Sequence, residues 1–107
     1  MTPARPAPER IVVSLEALRA DAVDWDHAAA DLRGATHRAE AVVVSPAVFS
    51  FAGGPLEEAY ELLRIHTVAL LSGGADNLGA IAAALRAAAA TYEADELEHV
   101  HRLRNVY

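Results

Sequence analysis

Along the first half of the chain, Leu15, Leu18, Ala22, Trp25, Ala29, Leu32, Thr36, Ala39 and Val43 recur in alternating steps of three and four. That spacing holds side chains on one stripe of an α-helix, while Arg19, Asp21, Asp24, Asp26, Asp31, Arg33, Arg38 and Glu40 fall off it as a solvated face. Ser14 precedes the pattern and Glu16 sits in its first turn, so capping and the helix dipole place the start at Ser14. The pattern stops at Ser45-Pro46, because proline disfavours helical geometry in the residue before it. A helix is expected over 14–44 and a loop over 45–54, in the segment SPAVFSFAGG. Pro55 then suits a first helical turn, where its missing amide donor costs nothing, with Glu57 and Glu58 at the positive end.

The second half carries two apolar stripes. Leu56, Tyr60, Leu63, Thr67 and Leu70 form one, and Leu71, Gly74, Leu78, Ile81, Leu85, Ala88 and Tyr92 form another, displaced by one residue at Ser72-Gly73-Gly74. Two glycines weaken a helix interior and SGGADN also reads as a turn, which leaves two readings: one continuous helix with a weak point, or a break giving three helices. The expected organisation is a disordered lead-in over 1–13, an all-α, antiparallel helical hairpin domain over 14–98 with its second helix at 55–98, and a tail over 99–107. The lead-in, MTPARPAPER at its start, has three prolines and no apolar run.

Composition changes this picture in one respect. The chain has 107 residues, enough for one domain, and 53% are hydrophobic, but alanine is the largest part of that share and the aromatics are one Trp, three Tyr and two Phe. Alanine favours helix yet contributes little transfer free energy beside the roughly 1.5–3 kcal/mol of a buried leucine-sized side chain. Two such helices are held together weakly, and a partner chain is physically favoured. A net charge of −6, with acids spread along both helices, argues against nucleic acid. The absence of cysteine excludes disulfides and thiol chemistry. The chain shows neither the apolar segment of a secretory signal peptide nor an uninterrupted apolar run long enough for a membrane span, so the expectation is a soluble protein without one.

Candidate chemistry is sparse. His99 and His101 are two apart and do not share a helix face, and His27, His37 and His66 are scattered, so no metal site, cofactor or catalytic set is expected and the chain reads as a non-enzyme. Gly53-Gly54 and Gly73-Gly74 lack the strand and lysine of nucleotide-binding loops. Trp25 reads as a core or interface anchor. Phe49 and Phe51 lie in the loop, where they either cap the end of the helices or contact a partner. Tyr92 and Glu96 stand four apart, one turn along the same helix face, an arrangement suited to docking.

The long first helix, the loop with Phe51 and Gly53, the alanine-rich second helix and the Tyr92-x-x-x-Glu96 pattern together resemble the ESX family of type VII secretion substrates, in particular its EspC-like branch. The resemblance spans about Leu15 to Leu103. Tyr92 and Glu96 match the first and last positions of that family's secretion motif and Leu103 a hydrophobic position beyond it. His99 stands where an intermediate hydrophobic residue belongs, and Phe51-Ala52-Gly53 occupies the loop where the family carries tryptophan-x-glycine. The resemblance implies a hairpin that pairs, as homodimer or heterodimer with a related hairpin, into a four-helix bundle and is exported from an actinobacterial cytoplasm by the type VII machinery without a cleaved signal peptide. Leu15, Leu18, Trp25, Leu32, Leu63, Leu70, Leu78, Ile81 and Leu85 are then expected in the bundle seam. The alternative is an intracellular helical adaptor or antitoxin-like binding module.

Overall fold

A computed structural model of the chain describes residues 8–42, 46–50 and 53–106. The described structure is all-helical: α1 spans Pro8–Ala41, a 3₁₀ turn spans Pro46–Phe49, and α2 spans Gly54–Val106. Helix α1 starts six residues before Ser14 and takes in 8–13, which the sequence placed in the lead-in. Pro8 occupies a first-turn position where a missing amide donor is harmless, Glu9 lies at the positive end, and Ile11 continues the stripe of Leu15 and Leu18 by one more turn. Its end at Ala41 falls three residues short of expectation. Gly53 adopts φ +80° and its amide donates to the Phe49 carbonyl at 2.9 Å, closing the turn ahead of α2 in a conformation that suits a residue without Cβ.

Helix α2 runs unbroken through Ser72-Gly73-Gly74, so of the two readings the continuous helix is the one observed. It also includes 99–106, expected as tail, where Arg102 pairs with Glu98 at 2.6 Å one turn back. The two glycines differ. Nothing lies within 4 Å of a Cβ built on Gly73, whereas one on Gly74 meets Leu32 Cδ2 at 2.9 Å. Gly73→Ala is therefore expected to raise stability by about 0.5–1 kcal/mol. In Gly74→Ala the same gain is offset by moving Leu32 off its rotamer, about 0.5–1.5 kcal/mol. Urea denaturation of the two variants checks this; equal stabilisation would show that Leu32 does not pack on Gly74.

The chain divides into two compact units, Met1–Asp26 with Ala80–Tyr107, and His27–Gly79. In the first, the helices lie antiparallel: Arg19 pairs with Glu93 at 3.0 Å and, seven residues on, Asp26 pairs with Arg86 seven residues back. The seam holds Leu15, Ala22, Ala82 and Ala89 in the buried class, with Ile11, Leu18 and Leu85 half-buried beside them. In the second unit Ala29, Thr36 and Ala75 are buried, Arg33 pairs with Asp76 at 3.1 Å, and Leu32, Ala39, Val68, Leu71 and Leu78 are half-buried. Thr36 satisfies its hydroxyl by donating to the Leu32 carbonyl at 2.9 Å.

Buried positions recur every seven residues, at 15, 22, 29 and 36 on α1 and at 75, 82 and 89 on α2. A seven-residue repeat of small side chains suits two helices in close contact, with the larger leucines three or four residues away filling the flanks. This differs from the stripes read on helix two. The half-buried line is Tyr60, Arg64, Val68 and Leu71, followed by buried Ala75, so no displacement occurs at the glycines. Leu63 and Leu70 are 64% and 77% exposed, because the seam within the chain takes Arg64 and Val68 in their place. The Arg64 stem can lie along apolar surface while its head reaches out to Glu61. Trp25 and Ile81 sit at the exposed margins, at 36% and 39%.

Candidate interaction surface

In the first unit the two helices flank a groove of about 420 Å³. Ile11, Ser14, Leu15 and Leu18 line it from α1, and Tyr92, Asp95 and Glu96 line it from α2. Steps of three and four put the α1 residues on one face, and the same rule puts Tyr92 one turn from both Asp95 and Glu96. Leu15 is the buried wall, Ile11, Leu18 and Glu96 are half-buried, and the Tyr92 ring is 61% exposed. The adjacent Glu93 is already committed to Arg19. The groove is an apolar trough with the Tyr92 phenol and the Asp95 and Glu96 carboxyl groups on one rim. Such a trough can receive an apolar side chain and hold a cation or hydrogen-bond donor beside it.

Of the residues that the resemblance assigns to a secretion motif, the structure places Tyr92 and Glu96 in this groove. Leu103 lies on α2, 49% exposed, outside the lining, and His99 is half-buried. Phe51 of the loop pattern lies outside the described residues; Gly53 is the turn glycine described above. Ile11 and Asp95 were not singled out from the sequence, and Ser14 was singled out only as a helix start. Ile11 was legible as the next member of the α1 stripe, but nothing in the local pattern marks Ser14 or Asp95 as groove residues, because their meeting depends on the pairing of the helices.

No family model, curated protein or solved structure gives a significant match to this chain. Function therefore rests on the surfaces themselves.

The second unit has its own cavity of about 360 Å³, with Glu40, Val42, Phe49, Tyr60 and Arg64 among its lining. Phe49 packs on Tyr60 with ring centroids 5.4 Å apart and planes tilted by 44°, so this loop aromatic covers the start of α2. Arg64 donates to both carboxylate oxygens of Glu61, at 2.5 and 3.0 Å, and this hydrogen bonding holds the Glu61 carboxyl below its ordinary range. Among the described residues no group of three or more His, Asp or Glu side chains is placed to hold a metal ion.

Outside the seams, α2 presents a run of exposed apolar side chains in the second unit, with Leu56, Leu63 and Leu70 at intervals of seven. Helix α2 also contains an 18-residue window of mean hydropathy 1.4, long and apolar enough to cross a membrane by length and composition alone. This qualifies the expectation of no span, which counted uninterrupted apolar runs. The helix interrupts its apolar stretches with Asp76, Asn77 and Arg86, so its mean hydropathy is high although its apolar runs are short; alanine supplies much of the mean.

Proposed function

We propose that this chain is a type VII, ESX-type secretion substrate that acts through protein contacts and not through catalysis, with Tyr92 and Glu96 as its export signal. The observation that carries the reading is the Tyr92 ring, 61% exposed and one helical turn from Glu96, at the rim of an apolar groove. An exposed phenol beside an acid has little packing value within its own chain and considerable value to a partner, since tyrosine combines a large apolar surface with a polar tip.

Pairing with a related helical hairpin belongs to the same proposal. The seams bury mostly alanine, whose methyl contributes about 0.8 kcal/mol per group, while Leu63 and Leu70 stand 64% and 77% exposed. A second hairpin laid along the Leu56, Leu63 and Leu70 face supplies the burial that the alanine seams lack, in a four-helix bundle.

Replacing Tyr92 by alanine is expected to remove the protein from culture filtrate while leaving it helical and at its normal level inside the cell. Because the ring is exposed, its loss disturbs little of the fold. Undiminished export of Tyr92→Ala, or failure of the unaltered chain to reach the filtrate of its native host, would overturn the proposal.

A further inference from the structure

We infer that the outer face of α2 in the second unit pairs with the same face of a second copy of this chain, the two helices parallel and in register from Leu56 to Asn77. The inference deepens the pairing part of the proposed function, on which it rests, by naming the partner and its alignment.

Leu56, Leu63, Leu70 and Asn77 recur at intervals of seven, and Ala59, His66 and Gly73 each follow three residues after a leucine, so the two sets share one stripe with the spacing of a two-stranded coiled coil. The stripe lies off the seam with α1. All three leucines are exposed, as are Ala59, His66 and Asn77, and a Cβ built on Gly73 meets nothing within 4 Å. Along about 33 Å of helix, leucines open to solvent alternate with Ala59 and Gly73, small enough to let a second helix come close.

Charge and spacing together favour a second copy as the occupant. In such pairs the positions bordering the stripe set partner choice; here they are Tyr60, Thr67 and Gly74 on one side and Leu62, Ala69 and Asp76 on the other. Asp76 is the one charged residue of these six, and Arg33 of the same unit pairs with it at 3.1 Å. Glu57, Glu58, Glu61 and Arg64 fall elsewhere around α2. Two copies therefore meet along this stripe without setting like charges opposite one another, although the whole chain carries a net charge of −6. Asn77 fixes the alignment. A parallel pair in register sets leucine on leucine at three levels and Asn77 on Asn77 at the fourth, where one side-chain amide donates to the carbonyl of the other. A shift of one heptad sets Asn77 against leucine and forfeits that bond, which is how a single asparagine in an apolar stripe specifies register and two-strandedness. An antiparallel pair centred on Leu63 carries Asn77 past the start of the partner helix and gives up the fourth level.

Sedimentation equilibrium of the full chain tests the partner. Between about 1 and about 500 µM, the range suited to a strip this short, the mass should rise from one copy to two. Leu63→Glu, at an exposed position, should raise the dissociation constant at least about a hundredfold with circular dichroism unchanged. Ile65→Glu, also exposed but on another side of α2, should leave it within about threefold. The chain has no cysteine, so Leu56→Cys and Leu70→Cys each report one level of the pair. In oxidising buffer each variant should form a disulfide with its own copy, as a parallel pair in register places like residues together. A monomer throughout the range, an assembly larger than two, equal effects of the two glutamates, or crosslinking confined to a mixture of the two cysteine variants would overturn the inference. Export scores the secretion reading apart from this one: a chain that reaches the filtrate yet stays monomeric keeps the signal and removes the pair, and a dimer absent from the filtrate does the reverse.

Discussion

Ala82→Leu is expected to lower stability by about 1–3 kcal/mol or more. Ala82 is 0% exposed and stands seven residues from both Ala75 and Ala89, which are equally inaccessible. At such positions the methyl group sets how closely two helix backbones approach, and Leu85, half-buried three residues on, fills the flank. A leucine at 82 has no space to enter, so it either separates the helices or takes a strained rotamer, and both also loosen its neighbours. Transfer free energy predicts the opposite sign, since leucine is the more hydrophobic residue; packing geometry decides. The control is Ala83→Leu, one position on and exposed, expected within about 0.5 kcal/mol of the unaltered chain. Denaturant titrations followed by circular dichroism compare the two, and equal effects would show that the seam does not pass through Ala82.

Leu15→Ala should cost about 2–5 kcal/mol, the range for removing a buried leucine side chain and leaving a partly relaxed cavity. Among the described residues Leu15, at 7% exposure, is the one large apolar side chain in the buried class; the others are alanines and Thr36. With total stabilities of small domains near 5–15 kcal/mol, a core of this kind leaves little margin, and the variant should be measurably less helical at ambient temperature. Leu70→Ala provides the contrast. At 77% exposure the side chain contributes little to the fold of a single chain, so the substitution should be nearly silent at low protein concentration and destabilising at high concentration, where pairing along that face adds to stability. A Leu70→Ala effect that does not vary with concentration would remove this face from the pairing proposal.

Much of α1 was legible in its spacing. The stripe from Leu15 to Ala39 contains its buried positions because the charged residues between them leave a single apolar face for a helix of this periodicity. Its start was misjudged by six residues, since three prolines in MTPARPAPER outweighed Ile11, yet the last of them is compatible with a first helical turn. Continuity of α2 was readable only as one of two alternatives: intrinsic propensity charges Gly73 and Gly74 alike, and only the structure shows that Gly74 faces Leu32 while Gly73 faces open space.

The seam of α2 was the harder case. In IAAALRAAAA the alanines are locally indistinguishable, and the apolar spacing alone does not mark Ala82 and Ala89, which the structure buries together with Ala75. Hydrophobicity ranks residues by what water rejects, while the line of contact between two helices is set by which side chains let the backbones come close, a property of the pair. The groove follows the same division. Tyr92 and Glu96 were visible as neighbours because one helix turn joins them. Ser14 and Asp95 became part of one surface only when α1 lay antiparallel to α2, with Arg19 opposite Glu93 and Asp26 opposite Arg86. Local chain geometry thus determined which residues share a face, and tertiary pairing decided which faces meet and which remain for a partner.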